Sequence, residues 1–155
     1  MSAPADLRAA IPATWQLVSY DIYNEGGTII DRPFGERVVG TLVYTAGGHV
    51  SAHAMADERM RCGTQRPVDS PDELKIAAYD SYLGYAGTWT LDGDVISHHV
   101  ETSYFPDWRG MTLRRRVTID GDLLVLTGIA PHPPDPLHPP SSRIPVLTWT
   151  RDPRS

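Results

Sequence analysis

Three short segments limit the fold more than anything else in the chain: Ala46-Gly47-Gly48, Asp92-Gly93-Asp94 and Asp120-Gly121-Asp122. Each stands between two runs rich in β-branched, aromatic and aliphatic residues. The runs are 38–45 with 49–55, 85–91 with 95–103, and 111–119 with 123–129. Glycine in so short a link supplies the backbone freedom that a tight hairpin demands, so each pair of runs predicts two antiparallel strands. Further strands are predicted at 14–23, closed by the turn signal Asn24-Glu25-Gly26-Gly27, and at 144–151. Pro145, second in that last run, predicts a strand that begins at an edge or a bulge. About eight strands suit a closed antiparallel barrel with room for one small ligand. A doubly wound parallel sheet is excluded, because helical signals do not alternate with the strands.

One helix interrupts the strands. Ser70-Pro71-Asp72-Glu73 reads as a helix start, with serine as cap, proline first and acids in the first turn. Leu74, Ala77, Ala78 and Tyr82 keep helical spacing up to Gly84, which predicts a helix over 71–83. Residues 4–10 allow one more helical turn before Pro12. The long loop from Ala56 to Ser70 is expected to fold over an opening. Ala130 to Ser142 carries too many prolines for a strand and is expected to be an extended loop, with His132 and His138 solvated. No repeat or linker divides residues 1–155, which are read as one mainly β domain.

Charge narrows the partners. With a net charge of −5, nucleic acid is not an expected partner, because phosphate binding needs a concentrated basic surface. Arg114-Arg115-Arg116 lies in a predicted strand, so its side chains alternate between faces and form no single patch. No apolar run is long enough for a membrane helix. Cys62 is the one cysteine, and the N-terminus shows no export signal, so a cytoplasmic protein is expected.

In order along the chain, several segments resemble the small lipocalin-like domain proteins of bacteria and fungi. They are Thr14-Trp15-x-Leu17-Val18-Ser19-Tyr20, Arg32-Pro33-Phe34-Gly35, residues 40–55 (GTLVYTAGGHVSAHAM), residues 98–108 (HHVETSYFPDW) and Leu147-x-Trp149-x-Arg151. Ala13 stands where lipocalins usually place the glycine of Gly-x-Trp. The resemblance implies a calycin-type barrel with a central cavity. It also implies that Arg151 covers the indole of Trp15 at the barrel floor, a cation–π contact of about 0.5–2 kcal/mol. Such barrels serve transport, sensing and cyclisation alike, so the fold leaves the chemistry open.

The residues themselves suggest where chemistry would sit. His98 shares a strand face with Ile96, Val100 and Thr102, an arrangement that turns it inward, either as a proton-transfer group or as a core histidine satisfied by a tyrosine. Arg115 shares an apolar face with Leu113, Val117 and Ile119, where a cation needs a partner: a ligand anion or an inward carboxylate. A register shift of one would hand these roles to His99 and to Arg114 or Arg116. Tyr44, Tyr85, Trp89 and Tyr104, the last followed by Phe105, are the expected walls, with hydroxyls to orient a ligand. His49 and His53 share a face with Ser51 and Met55. If that face turns inward, His53 contacts the ligand; if outward, it is solvated.

No metal is expected, since His49 and His53 lie about 13 Å apart along a strand and cannot share one ion. No cofactor is expected either, because phosphate-cradling, dinucleotide and nucleophile-elbow motifs are missing. Cys62 follows Arg61 but has no nearby histidine to activate it. Three readings follow. The first is a cofactor-independent cyclase or isomerase for a polyketide- or terpenoid-like substrate, with His98 and Arg115 as catalytic groups. The second is a non-catalytic carrier or sensor of a small hydrophobic metabolite. The third is a domain with a filled core; a homodimer is compatible with all three.

Overall fold

Each glycine-centred turn does join two antiparallel strands in the computed structural model, which describes residues 4–129 and 143–155. Gly93 and Gly121 both sit at φ +60°, where a side chain would be strained. The strands are β1 (Ala13–Tyr23), β2 (Ile29–Asp31), β3 (Val38–Tyr44), β4 (His49–Ala56), β5 (Tyr82–Asp92), β6 (Val95–Ser103), β7 (Thr112–Asp120), β8 (Leu123–Gly128) and β9 (Ile144–Arg151). Neighbours pair in the order β2-β1-β3-β4-β5-β6-β7-β8-β9, and β1 also pairs with β9. That last ladder closes β1 and β3–β9 into an eight-stranded barrel, with β2 attached outside the ring. The proline-rich stretch, with His132 and His138, lies outside the described residues.

Three expectations need correction. The helix α2 runs only over Asp72–Asp80. Pro71 is its cap, and the Ser70 hydroxyl bonds Thr64 instead of the helix end. Tyr82 and Gly84 already belong to β5, because pairing with β4 (Met55 with Tyr82, His53 with Gly84) outweighs the helical spacing. Pro145 is not at a sheet edge: β9 lies between β8 and β1, and the ladder to β8 ends at Val146, so the missing N–H costs no bond there. The loop before α2 packs along that helix, where Arg59, Cys62 and Ala78 border an open surface groove. None of its residues lines the barrel cavity.

The floor is built from both ends of the described chain. The helix α1 (Pro4–Ala10) and Ile11 plug the ring: Leu7 and Ile11 are buried, and the Trp15 indole N–H donates to the Ile11 carbonyl at 3.0 Å. The Arg151 guanidinium lies 4.3 Å from the Trp15 ring centroid and donates to the Ala10 carbonyl at 3.2 Å. Arg8 covers Trp89 in the same manner at 5.5 Å. Above the floor the core holds Trp149 with Leu42, Ile96, Val117 and Leu124, the four aliphatic side chains each worth about 1.5–3 kcal/mol when fully buried.

Replacing Arg151 by Met keeps the aliphatic stem over Trp15 but removes the cation and its bond to α1. We expect a loss of about 1–2 kcal/mol, read as a lower midpoint in urea unfolding. A midpoint equal to that of the parent protein would show that the Trp15–Arg151 contact stabilises nothing.

Candidate functional site

Side chains of β1, β3–β9 and the turn Pro106–Trp108 enclose a cavity of about 120 Å³. Its walls are largely apolar: Leu42, Ala52, Leu83, Leu126, Leu147 and Trp149. Tyr20, Tyr85, His98 and Arg115 supply the polar groups, with Trp108 and Pro145 completing the lining. An apolar hollow with a few placed polar groups is what a small-molecule site requires.

His98 is at the centre of that polar equipment, 1% exposed. Its Nε2 is 2.6 Å from the Tyr44 hydroxyl and its Nδ1 is 2.6 Å from the Tyr85 hydroxyl. Burial lowers its pKa to about 3, helped by the nearby charge of Arg115 and by His99, so the ring is neutral near pH 7. A neutral imidazole has one donor and one acceptor nitrogen, so one tyrosine gives it a hydrogen bond and the other receives one. Tyr44 lies behind the cavity, edge-on to Trp89 with ring centroids 5.6 Å apart. An undonated Tyr44 hydroxyl would be a buried, unsatisfied donor. Hydrogen-bond satisfaction therefore assigns Tyr44 as donor to Nε2 and Nδ1–H as donor to Tyr85. The Tyr85 hydroxyl hydrogen is then left to face the cavity. Burial also raises the pKa of both phenols, Tyr44 well above the usual value, so neither ionises near neutrality.

Arg115 lies half-buried on β7 between the inward residues Leu113 and Val117. Among the described residues no carboxylate pairs with it; NH1 donates to the Arg114 carbonyl at 2.9 Å. The expected inward Asp or Glu partner is not found there. Trp149 contributes another donor, since its buried indole N–H has no hydrogen-bond partner among the described residues.

A family model for the lipocalin-like domain matches residues 13–152. The chain belongs to the lipocalin-like domain family. A curated relative of this lipocalin-like chain is the 4'-hydroxy-3'-methoxypropiophenone carrier protein ppsC of Aspergillus oryzae (strain ATCC 42149 / RIB 40). The two are 33% identical over 114 residues, which is 64% of this chain and 98% of the relative. No described helix is long and apolar enough to cross a membrane.

Within the lipocalin-like barrel the sequence-derived residues separate into three places. His98, Tyr85 and Arg115 meet at the cavity, and Tyr44 supports them from behind. Trp89 is buried but belongs to the layer between cavity and floor, where its N–H donates to the Thr45 carbonyl. Tyr104 packs edge-to-face behind the lining residue Trp108, with ring centroids 5.7 Å apart, and does not line the cavity itself.

His53 is the clearest correction. Ala52 and Ala54 are the buried residues of β4, so alternation turns His53 outward, where it is exposed and bonds Ser51 and Tyr82. Thr102 is also exposed, because the register between β5 and β6 shifts at Glu101 and breaks the alternation that begins at His98. A similar shift at Val18 in β1 turns Tyr20 inward, which is why strict alternation from Trp15 and Leu17 does not find it. Trp149 was findable: it precedes Arg151 by two residues and so shares its inward face.

Proposed function

We propose that this protein is a non-catalytic binder, most simply a carrier, of one small and largely apolar metabolite held in the barrel cavity. The observation that carries this reading is the state of the polar groups around an otherwise apolar hollow. They are hydrogen-bond donors, and none is a base near pH 7. His98 is neutral with both nitrogens engaged, and the phenols stay protonated. A proton-transfer catalyst works best with a group whose pKa lies near the working pH. The carrier named among the relatives supports the same reading. At about 120 Å³ the cavity is of the same order as the ~150 Å³ that holds benzene in an engineered protein, which limits the ligand to about one ring with a short substituent.

One observation favours a second reading. Arg115 and the Tyr85 hydroxyl face one cavity, as an oxyanion-stabilising cyclase or isomerase would require. Conversion of a bound substrate, rather than its unchanged recovery, would select that reading.

Trp108 and Trp149 line the cavity, so occupancy alters tryptophan fluorescence. Acetophenone is expected to change it saturably, at one site per chain. Ala52→Leu extends a buried side chain into the hollow and is expected to abolish the response while the protein still unfolds cooperatively. A non-saturable response, or an unchanged one in Ala52→Leu, would refute cavity binding.

A further inference from the structure

The cavity has a chemical sign as well as a size. Its polar atoms lean toward donation, with the Tyr20 hydroxyl, which can give or accept, as the neutral exception. Both nitrogens of His98 are consumed by tyrosines. Tyr85 keeps a hydrogen to give. Trp149 lines the cavity, and its indole N–H is buried with no described acceptor. Arg115 spends one nitrogen on the Arg114 carbonyl, and no described carboxylate balances its charge. Among the described residues that line it there is no Asp, Glu, Asn or Gln, so no side-chain carboxylate or amide oxygen is offered.

A half-buried cation beside unspent neutral donors in an apolar hollow is costly unless an acceptor arrives with the ligand. Guanidinium and carboxylate match in shape and charge, and Arg can use two N–H groups on one carboxylate. Ammonium ligands meet the opposite situation: a like charge on Arg115 and only neutral phenol oxygens as side-chain acceptors. Purely hydrocarbon ligands fill the hollow but leave the donors unanswered.

We propose that the cavity selects a single-ring organic acid, bound as its carboxylate anion with the charged oxygens toward Arg115 and Tyr85 and the ring against Leu42, Leu126 and Trp149. This rests on the cavity-binding reading above and adds the charge of the ligand to it. Lys is the conservative replacement for Arg115 because it keeps the charge and loses the planar fork. Gln keeps hydrogen bonding and loses the charge.

The test is a size-matched series titrated at pH 7.5 by calorimetry and tryptophan fluorescence: ethylbenzene, acetophenone, benzoate and benzylamine. Benzoate is expected to bind at least tenfold more tightly than ethylbenzene, with acetophenone between them and benzylamine weakest. Arg115→Gln should weaken benzoate at least tenfold while moving acetophenone less than threefold. Arg115→Lys should recover part of the benzoate affinity. Tyr85→Phe should weaken benzoate and acetophenone by similar factors, because its hydroxyl serves either oxygen.

A purely structural role for Arg115 predicts a different pattern: a lower melting temperature and equal weakening of all ligands. That pattern overturns the proposal, as does benzoate binding no tighter than ethylbenzene. Saturable binding of acetophenone and ethylbenzene without benzoate preference leaves the carrier reading standing and removes this one. Binding of none of the four removes both.

Discussion

Lowering the pH from 7 to 4.5 is expected to cost the folded protein about 3 kcal/mol through His98 alone. The ring titrates near 6.5 when unfolded and is lowered to about 3 in the fold, chiefly by burial. Between those values the unfolded chain binds a proton that the folded chain refuses. The stability that depends on a neutral His98 is therefore intact above pH 6.5 and falls by about 1.4 kcal/mol per pH unit below it, down to pH 3. Asp152 acts in a separate window. Its carboxyl is held well below the usual range by bonds from Arg154 and Gln16, so its contribution is lost only as the pH drops below 3.8. Urea unfolding at a series of pH values reads the slope directly, and His98→Gln subtracts the other groups. A slope between pH 6 and 4.5 that is the same in both proteins would contradict a neutral, buried His98.

The second large effect belongs to Gly87. A Cβ there would lie 1.9 Å from the His99 carbonyl oxygen and 3.1 Å from the Glu101 nitrogen, both backbone atoms. Neither can turn aside as a side chain would. Gly87 sits where the β5–β6 register shifts, one strand away from His98, so relief requires that ladder to part. We expect Gly87→Ala to lose about 3 kcal/mol or more and to lower the soluble yield. Gly47 is the matching control. It turns a hairpin, but its φ is not in the left-handed range and its nearest neighbour, the Thr45 hydroxyl, is 3.9 Å away. Gly47→Ala should lie within about 0.5 kcal/mol of the parent protein. Comparable urea midpoints for the two variants would show that β6 gives way more easily than the close approach implies.

The barrel was legible because hairpin turns are local: two or three residues around a glycine decide whether adjacent strands pair. The inward set at His98 and Arg115 was legible for the same kind of reason, since each stands between apolar alternates, Ile96 and Val100 for one and Leu113 and Val117 for the other. Alternation failed where a strand carries an extra residue. Nothing around Val18 or Glu101 marks a shift, yet the shifts bring Tyr20 inward and send Thr102 outward. The face of β4 was undecidable locally, because alanines on one side and His, Ser and Met on the other are all weak signals. Pairing with β3 and β5 decided it, and His53 went to solvent. The two tyrosines on His98 come from β3 and β5, so their meeting depends on registers that no single segment encodes.

The plugged floor has a kinetic meaning. Leu7, Ile11, Trp15 and Arg151 leave no passage through the ring at that end, so the barrel cannot act as a conduit. Whatever enters must depart by the route it came in, past the same side chains in reverse. Loading and unloading are then governed by one shared barrier. A change that lowers this barrier speeds both directions by the same factor and leaves occupancy at equilibrium untouched. How long cargo stays and how tightly it is held are therefore separable properties in this architecture.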